Sequence, residues 1–217
     1  MKKLVIFDLD GTLLYTLEDI RKSLNFVLEK HGYRAVSLEK TETLVGNGAK
    51  NLIASASGES GEKLDELFLE LSAVMKSCDN ALTVLYAGLD GELLKLKNAG
   101  FKLAIVSNKP DGAVQEIYKQ KLSKFGFDYV AGANPSLYAV KPDKACVEYC
   151  LNALGVQKQD AVYVGDSEVD AKTAKNAGID CVSVLWGYRR KEQILGGGGY
   201  NFISEPSELY DAVMKLN

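Results

Sequence analysis

The chain has 217 residues, 47% of them hydrophobic and 25% charged, a globular composition that excludes a disordered or fibrous protein. With 26 Lys+Arg against 29 Asp+Glu the formal net charge is −3, so the broad basic footprint of a nucleic-acid-polymer binder is absent. The single histidine, His31, excludes a multi-histidine metal site, and the four cysteines contain no CxxC pair and read as reduced thiols.

At roughly 150 residues per domain, the length fits one large domain or a core with an attachment. The first apolar run, Leu4-Val5-Ile6-Phe7, is ended by Asp8. It is too short for a signal peptide or a membrane span, which predicts a cytoplasmic protein with no membrane partner. Unbroken β-rich runs of this kind suit parallel strands buried on both faces. Residues 15–84 then carry no clear strand run. The periodicity predicts a helix over 17–30 stopped at His31-Gly32, shorter helices near 37–44 and 48–56, and a longer one over 61–77 with Leu64, Leu67, Phe68, Leu71 and Val74 on one face.

Beyond residue 85 strands and helices alternate. A helix is predicted over 90–98, a strand over 103–106, a helix over 111–122 and a shorter strand over 127–130. They are followed by a helix begun by Pro142 and running to Leu154, and a strand over 161–164. The last predicted elements are a helix over 167–177, a strand over 181–185 and a final helix from about Ser207. Gly196 to Gly199 reads as a flexible loop. The fold expected is α/β, a doubly wound parallel sheet with an inserted all-helical unit. Its boundaries fall at 1–14 and 85–217 for the α/β core and at 15–84 for the insert.

Four stretches fall where predicted strands or turns end. Asp8-Leu9-Asp10-Gly11-Thr12-Leu13 follows the first strand. Two carboxyl groups one residue apart, with a glycine to allow a turn, can bind a hard cation or share a proton. Ser107-Asn108-Lys109-Pro110 ends the second strand, where a hydroxyl and a free N–H can take phosphate oxygens. Lys141-Pro142 precedes a helix. In Gly165-Asp166-Ser167-Glu168-Val169-Asp170, Asp166 can complete an oxygen-rich Mg²⁺ shell with Asp8, braced by Asp170 one turn on. Each stretch alone also fits a plainer reading, as a polar turn, a helix cap or an acidic helix start.

Taken in order, the four resemble the motifs of the haloacid dehalogenase superfamily of phosphohydrolases: DxDGT at Asp8 to Thr12, a strand-end hydroxyl at Ser107, a lysine at Lys141 and GDxxxD at Gly165 to Asp170. The resemblance implies Asp8 as nucleophile and Asp10 as general acid and base. It implies Mg²⁺ held by Asp8, the Asp10 carbonyl and Asp166 with Asp170 behind, and charge stabilisation by Lys141 and Ser107. Gly11, Thr12 and Asn108 would add contacts to the phosphoryl group. An insert directly after the first motif is similar to the superfamily's C1 caps. The stretches Thr16 to Ile20, Val45 to Ala49, Ser107 to Pro110 and Trp186-Gly187-Tyr188 are similar to phosphoglycolate phosphatases.

Two departures stand out: Tyr15, where relatives carry an acid, and Tyr86-Ala87-Gly88, where they carry Pro-Gly. In the insert, Gly46-Asn47-Gly48 and Lys50 suggest a substrate loop whose lysine pairs with a substrate carboxylate, or a turn before an exposed lysine. His31 is expected to end a helix, Trp186 to pack, Cys146 and Cys150 to be core thiols, and the leucine face of 61–77 to be insert core or a dimer face. The reading is a Mg²⁺-dependent phosphomonoesterase for a small phosphorylated metabolite, with phosphoglycolate the leading candidate, acting as a monomer or homodimer. The alternatives are a β-phosphoglucomutase-type phosphosugar mutase, against which Thr12 stands where mutases carry Val, another phosphatase of the superfamily, or a non-catalytic protein of the same fold.

Overall fold

The computed structural model describes residues 2–216. Six strands form one parallel sheet: β1 (Leu4–Phe7), β4 (Lys102–Pro110), β5 (Tyr129–Ala133), β6 (Ala161–Gly165), β7 (Asp180–Val184) and β8 (Phe202–Ile203). Their order is β5-β4-β1-β6-β7-β8. The chain works outward from β1 through β4 to β5, then returns to place β6, β7 and β8 on the other side. The crevice where that direction reverses, at the carboxyl ends of β1 and β6, is where open α/β sheets bind ligands.

Strand alternation explains the two cores. Val5, Phe7, Leu103, Ile105, Val162 and Val164 face a layer that includes α5 (Leu89–Asn98) and α10 (Leu209–Met214). Leu4, Ile6, Ala104, Val106, Ala161 and Tyr163 face the opposite layer, with α7 (Ala145–Leu154) and α8 (Glu168–Ala177). All four residues of β1 are fully buried, which is why that strand reads as an unbroken apolar run rather than an alternation. Helix α6 (Asp111–Ile117) follows β4, and α9 (Lys191–Gly196) precedes β8.

Between β1 and β4 lie α1 (Leu17–Lys30), α2 (Leu38–Leu44), α3 (Ala49–Ser57) and α4 (Gly61–Ser77). They share a third apolar cluster built on Leu24, Leu28, Ile53, Leu67 and Leu71. His31 is the C-cap of α1, its Nε2 2.8 Å from Glu70. The expectation of a stretch without strands is corrected at both ends: β2 (Leu14–Tyr15) and β3 (Val84–Leu85) pair antiparallel where the chain enters and leaves the insert. Two-residue strands are too short to show a period.

Other boundaries also shift. The helix expected from Pro142 begins at Ala145, whose N–H is held by the Asp143 carboxylate. The helix expected through 122 is α-helical only to Ile117 and continues as a π-turn over Tyr118–Leu122. In the glycine run at 196–199, Gly197 and Gly199 are packed and Gly196 and Gly198 are exposed. A Cβ at Gly197 would lie 2.7 Å from the Glu168 backbone, and one at Gly199 would lie 2.5 Å from Ile194. The four thiols are free, and Cys146, Cys150 and Cys181 are buried. Among the described residues no helix is long and apolar enough to cross a membrane.

Candidate active site

The carboxyl ends of β1, β4 and β6 meet at one place. The Asp8 N–H donates to Val164 O of β6 at 2.9 Å, which fixes the first residue past β1 against the strand that carries Asp166. The chain then turns through Gly11 at φ +86°. A Cβ there would lie 2.5 Å from Asp166 Oδ2 and 2.9 Å from the Tyr188 ring, so glycine is required for both conformation and space. Gly187 has the same constraint without unusual φ, because a Cβ would overlap the Asp166 side chain.

Asp8 is 7% exposed and Asp166 2%. Lys141 Nζ lies 2.9 Å from Asp8 Oδ1 and 2.7 Å from Asp170 Oδ1, and it also donates to Tyr163 OH at 3.1 Å. The other Asp170 oxygen accepts from Ser167 N and Oγ, which closes a capping box at the start of α8. Asp166 accepts from Thr12 Oγ1 at 3.0 Å and from Tyr188 N at 2.8 Å. Asp10 Oδ1 accepts from Thr16 Oγ1 at 2.6 Å and from Lys109 Nζ at 3.0 Å. Asn108 bridges two segments, with Nδ2 donating to Lys141 O and Gly46 O and Oδ1 accepting from Lys141 N.

Burial dominates the electrostatics. It pushes the Asp8 carboxyl up to about 8; Lys141 opposes the rise, and repulsion from Asp170, Asp166 and Asp10 adds to it. Burial and Asp170 push Asp166 up to about 7, against the hydrogen bonds from Tyr188 and Thr12. For Lys141, burial works against the ammonium, but Asp170 and Asp8 outweigh it and hold its pKa well above the ordinary lysine range.

The donor set fits a hard cation. Oxygens of Asp8, Asp166 and Asp170 lie within 4.8 Å of one another. Asp8 Oδ1 is buried and, despite its nearness to Lys141, receives no hydrogen bond. Asp170 is held by Lys141 on one oxygen and by Ser167 on the other, and Asp166 accepts one hydrogen bond on each oxygen, so Asp8 Oδ1 is the buried oxygen of the cluster that receives none.

A small cleft opens beside this cluster. Asp8, Asp10, Ser107, Asn108 and Lys109 line it from the sheet, and Ile20, Val45, Gly46, Gly48, Leu52 and Met75 line it from the insert. The structure thus brings Asp8, Asp10, Ser107, Asn108, Lys141, Asp166 and Asp170 together, and it seats Gly46 at the rim. Thr12, Asn47 and Lys50, expected to contact substrate, lie outside that lining. Thr12 directs its hydroxyl to Asp166 instead. Lys50 is exposed and ion-paired with Asp65 on α4, away from the cleft lining. Asn47 also stays outside that lining, its carbonyl accepting from Asn51. Trp186 packs against Tyr86 and donates Nε1 to Thr12 O. Tyr15, the departure at the insert boundary, meets Tyr188 edge to face.

Three contributors escaped the sequence reading: Lys109 on Asp10, Tyr188 on Asp166 and Thr16, and Arg189 on the insert. The first two lie inside stretches whose pattern was noticed, Ser107 to Pro110 and Trp186 to Tyr188, but neither has a local signal for its partner.

Residues 5–184 match the family model described as haloacid dehalogenase-like hydrolase. The chain is 32% identical over 201 residues to phosphoglycolate phosphatase 1 of Pseudomonas aeruginosa, covering 89% of this chain and 73% of that protein. It is likewise 32% identical over 221 residues to a phosphoglycolate phosphatase of Vibrio parahaemolyticus, covering 97% and 96%. Among solved structures, a predicted phosphoglycolate phosphatase from Haemophilus somnus superposes with a TM-score of 0.84 at 26% identity, covering 98% of each chain. A predicted phosphatase from Clostridium acetobutylicum, at 24% identity and a TM-score of 0.88 over 99% of each chain, shares the fold.

Proposed function

The chain belongs to the haloacid dehalogenase-like hydrolase family and its relatives are phosphatases, and on that premise we propose that it is a Mg²⁺-dependent phosphomonoesterase acting through an aspartyl-phosphate. The observation that carries this reading is the convergence of Asp8, Asp10, Ser107, Lys141 and Asp166 at three neighbouring strand ends beside one cleft.

Asp8 is the nucleophile. Its carboxylate oxygen attacks phosphorus as the ester P–O bond breaks, and Asp10 gives a proton to the departing oxygen. Asp10 then takes a proton from water attacking the phosphorus of the aspartyl-phosphate, which releases phosphate and restores the Asp8 carboxylate. Lys141, buried and held by Asp170, keeps a fixed positive charge beside the reacting oxygens. Ser107 Oγ and neighbouring N–H groups receive the phosphoryl oxygens. Asp8, the Asp10 main-chain carbonyl and Asp166 would hold Mg²⁺, which when bound screens the anionic nucleophile from the anionic phosphate.

The helical insert, residues 15–84, is read as a cap that covers the cleft. Its small apolar lining suits a small substrate, and the curated relatives favour phosphoglycolate. Release of p-nitrophenol from p-nitrophenyl phosphate, assayed with Mg²⁺ and with EDTA, tests the chemistry. Mg²⁺-dependent release is expected, and none from folded protein overturns the reading. A phosphometabolite panel tests the substrate, and isomerised sugar phosphate without phosphate release would point to a mutase instead.

A further inference from the structure

Helix α2 ends without a capping group of its own. Its C-cap, Val45, is extended at φ −70° and ψ 160°, no basic residue lies in the last turn, and the Val45 N–H reaches back to Thr41 O. The remaining carbonyls carry the negative end of the helix dipole and need donors. They find them in Arg189, in the segment between β7 and α9. Its Nη1 donates to Glu42 O at 2.8 Å and its Nη2 to Val45 O. The Arg189 side chain is only 8% exposed. Its carboxylate neighbour, Glu168, places Oε2 3.5 Å from Nε and receives no hydrogen bond on that atom. The buried guanidinium is therefore satisfied chiefly by main-chain oxygens of the insert. A planar fork presents several donors at fixed spacing to two carbonyls, whereas an ammonium is a compact point charge on a flexible stem.

We propose that Arg189 is a positioning residue that latches the 42–48 segment of the insert over the cleft. The proposal rests on reading that cleft as the phosphatase site. Val45 and Gly46, at the end of the latched turn, are themselves cleft lining. Asn108 grips the same turn from the sheet by donating to Gly46 O at 3.2 Å, so two core side chains hold one short segment. Arg189 also follows Tyr188, whose N–H donates to Asp166 Oδ2 at 2.8 Å. Seating the insert and orienting Asp166 are thereby in series through two adjacent residues. β2 and β3 join the insert to the core and α4 packs on α6, while Arg189 and Asn108 hold the 42–48 segment at the cleft itself. Loss of the latch should weaken retention of substrate more than the chemical step.

Full-length Arg189→Met and Arg189→Lys test this. Hydrogen exchange of the substrate-free protein comes first, because it does not depend on turnover. In Arg189→Met the amides of 42–49 exchange at least tenfold faster, while those of α1, α4 and β1 are unchanged. The KM for phosphoglycolate rises about tenfold, with kcat reduced less than threefold. Arg189→Lys falls between the two, because the ammonium keeps the charge but lacks the rigid planar fork. Unchanged exchange at 42–49 overturns the latch. So does faster exchange throughout the insert, which would make Arg189 a general support of the fold, and so does a fall in kcat at constant KM. If the wild type does not hydrolyse phosphoglycolate, the substrate reading fails and the exchange result alone decides the latch.

Discussion

Asp8→Asn should stabilise the metal-free protein while abolishing turnover. The Asp8 carboxyl is raised from 3.8 to about 8, first by burial and then by repulsion from Asp170, Asp166 and Asp10, with Lys141 in opposition. A carboxyl whose folded pKa lies above its unfolded value costs no stability below pH 4. Stability is then lost as pH rises through the folded value, because the unfolded chain releases a proton that the folded chain retains. At about 1.4 kcal/mol per unit, the full shift corresponds to roughly 6 kcal/mol above pH 8. Relaxation around the charge should leave about 2–3 kcal/mol. Asn copies the neutral carboxyl in shape and removes this penalty. For a chain of this length, about 2–4 °C per kcal/mol gives a melting temperature roughly 4–12 °C above wild type at pH 8.5 in EDTA. The gap should shrink at pH 5 and close near pH 4. Saturating Mg²⁺ should narrow or reverse it, since an ion at a hundred times its Kd adds about 2.7 kcal/mol to the form that binds it. The assay is thermal melting followed by circular dichroism across that pH range. A metal-free variant that melts at or below wild type at pH 8.5 refutes the argument that burial and repulsion, rather than the Lys141 contact, dominate Asp8.

Lys141→Met leaves Asp8 and Asp170 buried without their cation. We expect a loss of about 3 kcal/mol at pH 8 that lessens toward pH 5, together with at least a thousandfold fall in kcat, measured by melting and by p-nitrophenol release. Gly187→Ala drives a methyl group into Asp166, so Mg²⁺ affinity measured by titration calorimetry should drop 10–100-fold; unaltered affinity would remove Asp166 from the ion's ligands. Lys50→Ala, whose ammonium is engaged by exposed Asp65, should leave kcat/KM for phosphoglycolate within twofold, and a tenfold loss would return Lys50 to the substrate loop.

How much was legible depended on the distance over which each signal acts. Burial on both faces makes β1 and β6 continuous apolar runs, and the 3.6-residue period of α4 buries Leu67, Leu71 and Met75. Both patterns are local, so both could be read. The aspartates could be read too, because each motif follows directly on a strand. The two-residue strands β2, β3 and β8 hold too few side chains to establish a period. The two readings of Lys50 could not be separated, because its neighbour in space, Asp65, is set by how α3 packs on α4, which no spacing within α3 reveals. Arg189 could not be assigned at all, since its partners at 42 and 45 are met only after the whole sheet has closed.

The same long-range assembly creates the site's charge imbalance. Asp8, Asp10, Asp166 and Asp170 gather around two lysines, Lys141 and Lys109, and each lysine is already paired: Lys141 with Asp8 and Asp170, Lys109 with Asp10. A phosphate dianion entering this cluster meets an excess of negative charge that the lysines alone do not cancel. In the protein alone burial, with this repulsion added to it, raises the carboxyl pKa values of Asp8 and Asp166, so near neutral pH protons are retained there. A divalent cation held by Asp8 and Asp166 would displace those protons, leaving Asp8 ionised for the proposed attack, and would lower the repulsion on the incoming phosphate at the same time. Metal affinity should therefore rise with pH between about 6 and 8. The arrangement that destabilises the metal-free site is, on this argument, what makes it receptive to phosphate once the cation is bound.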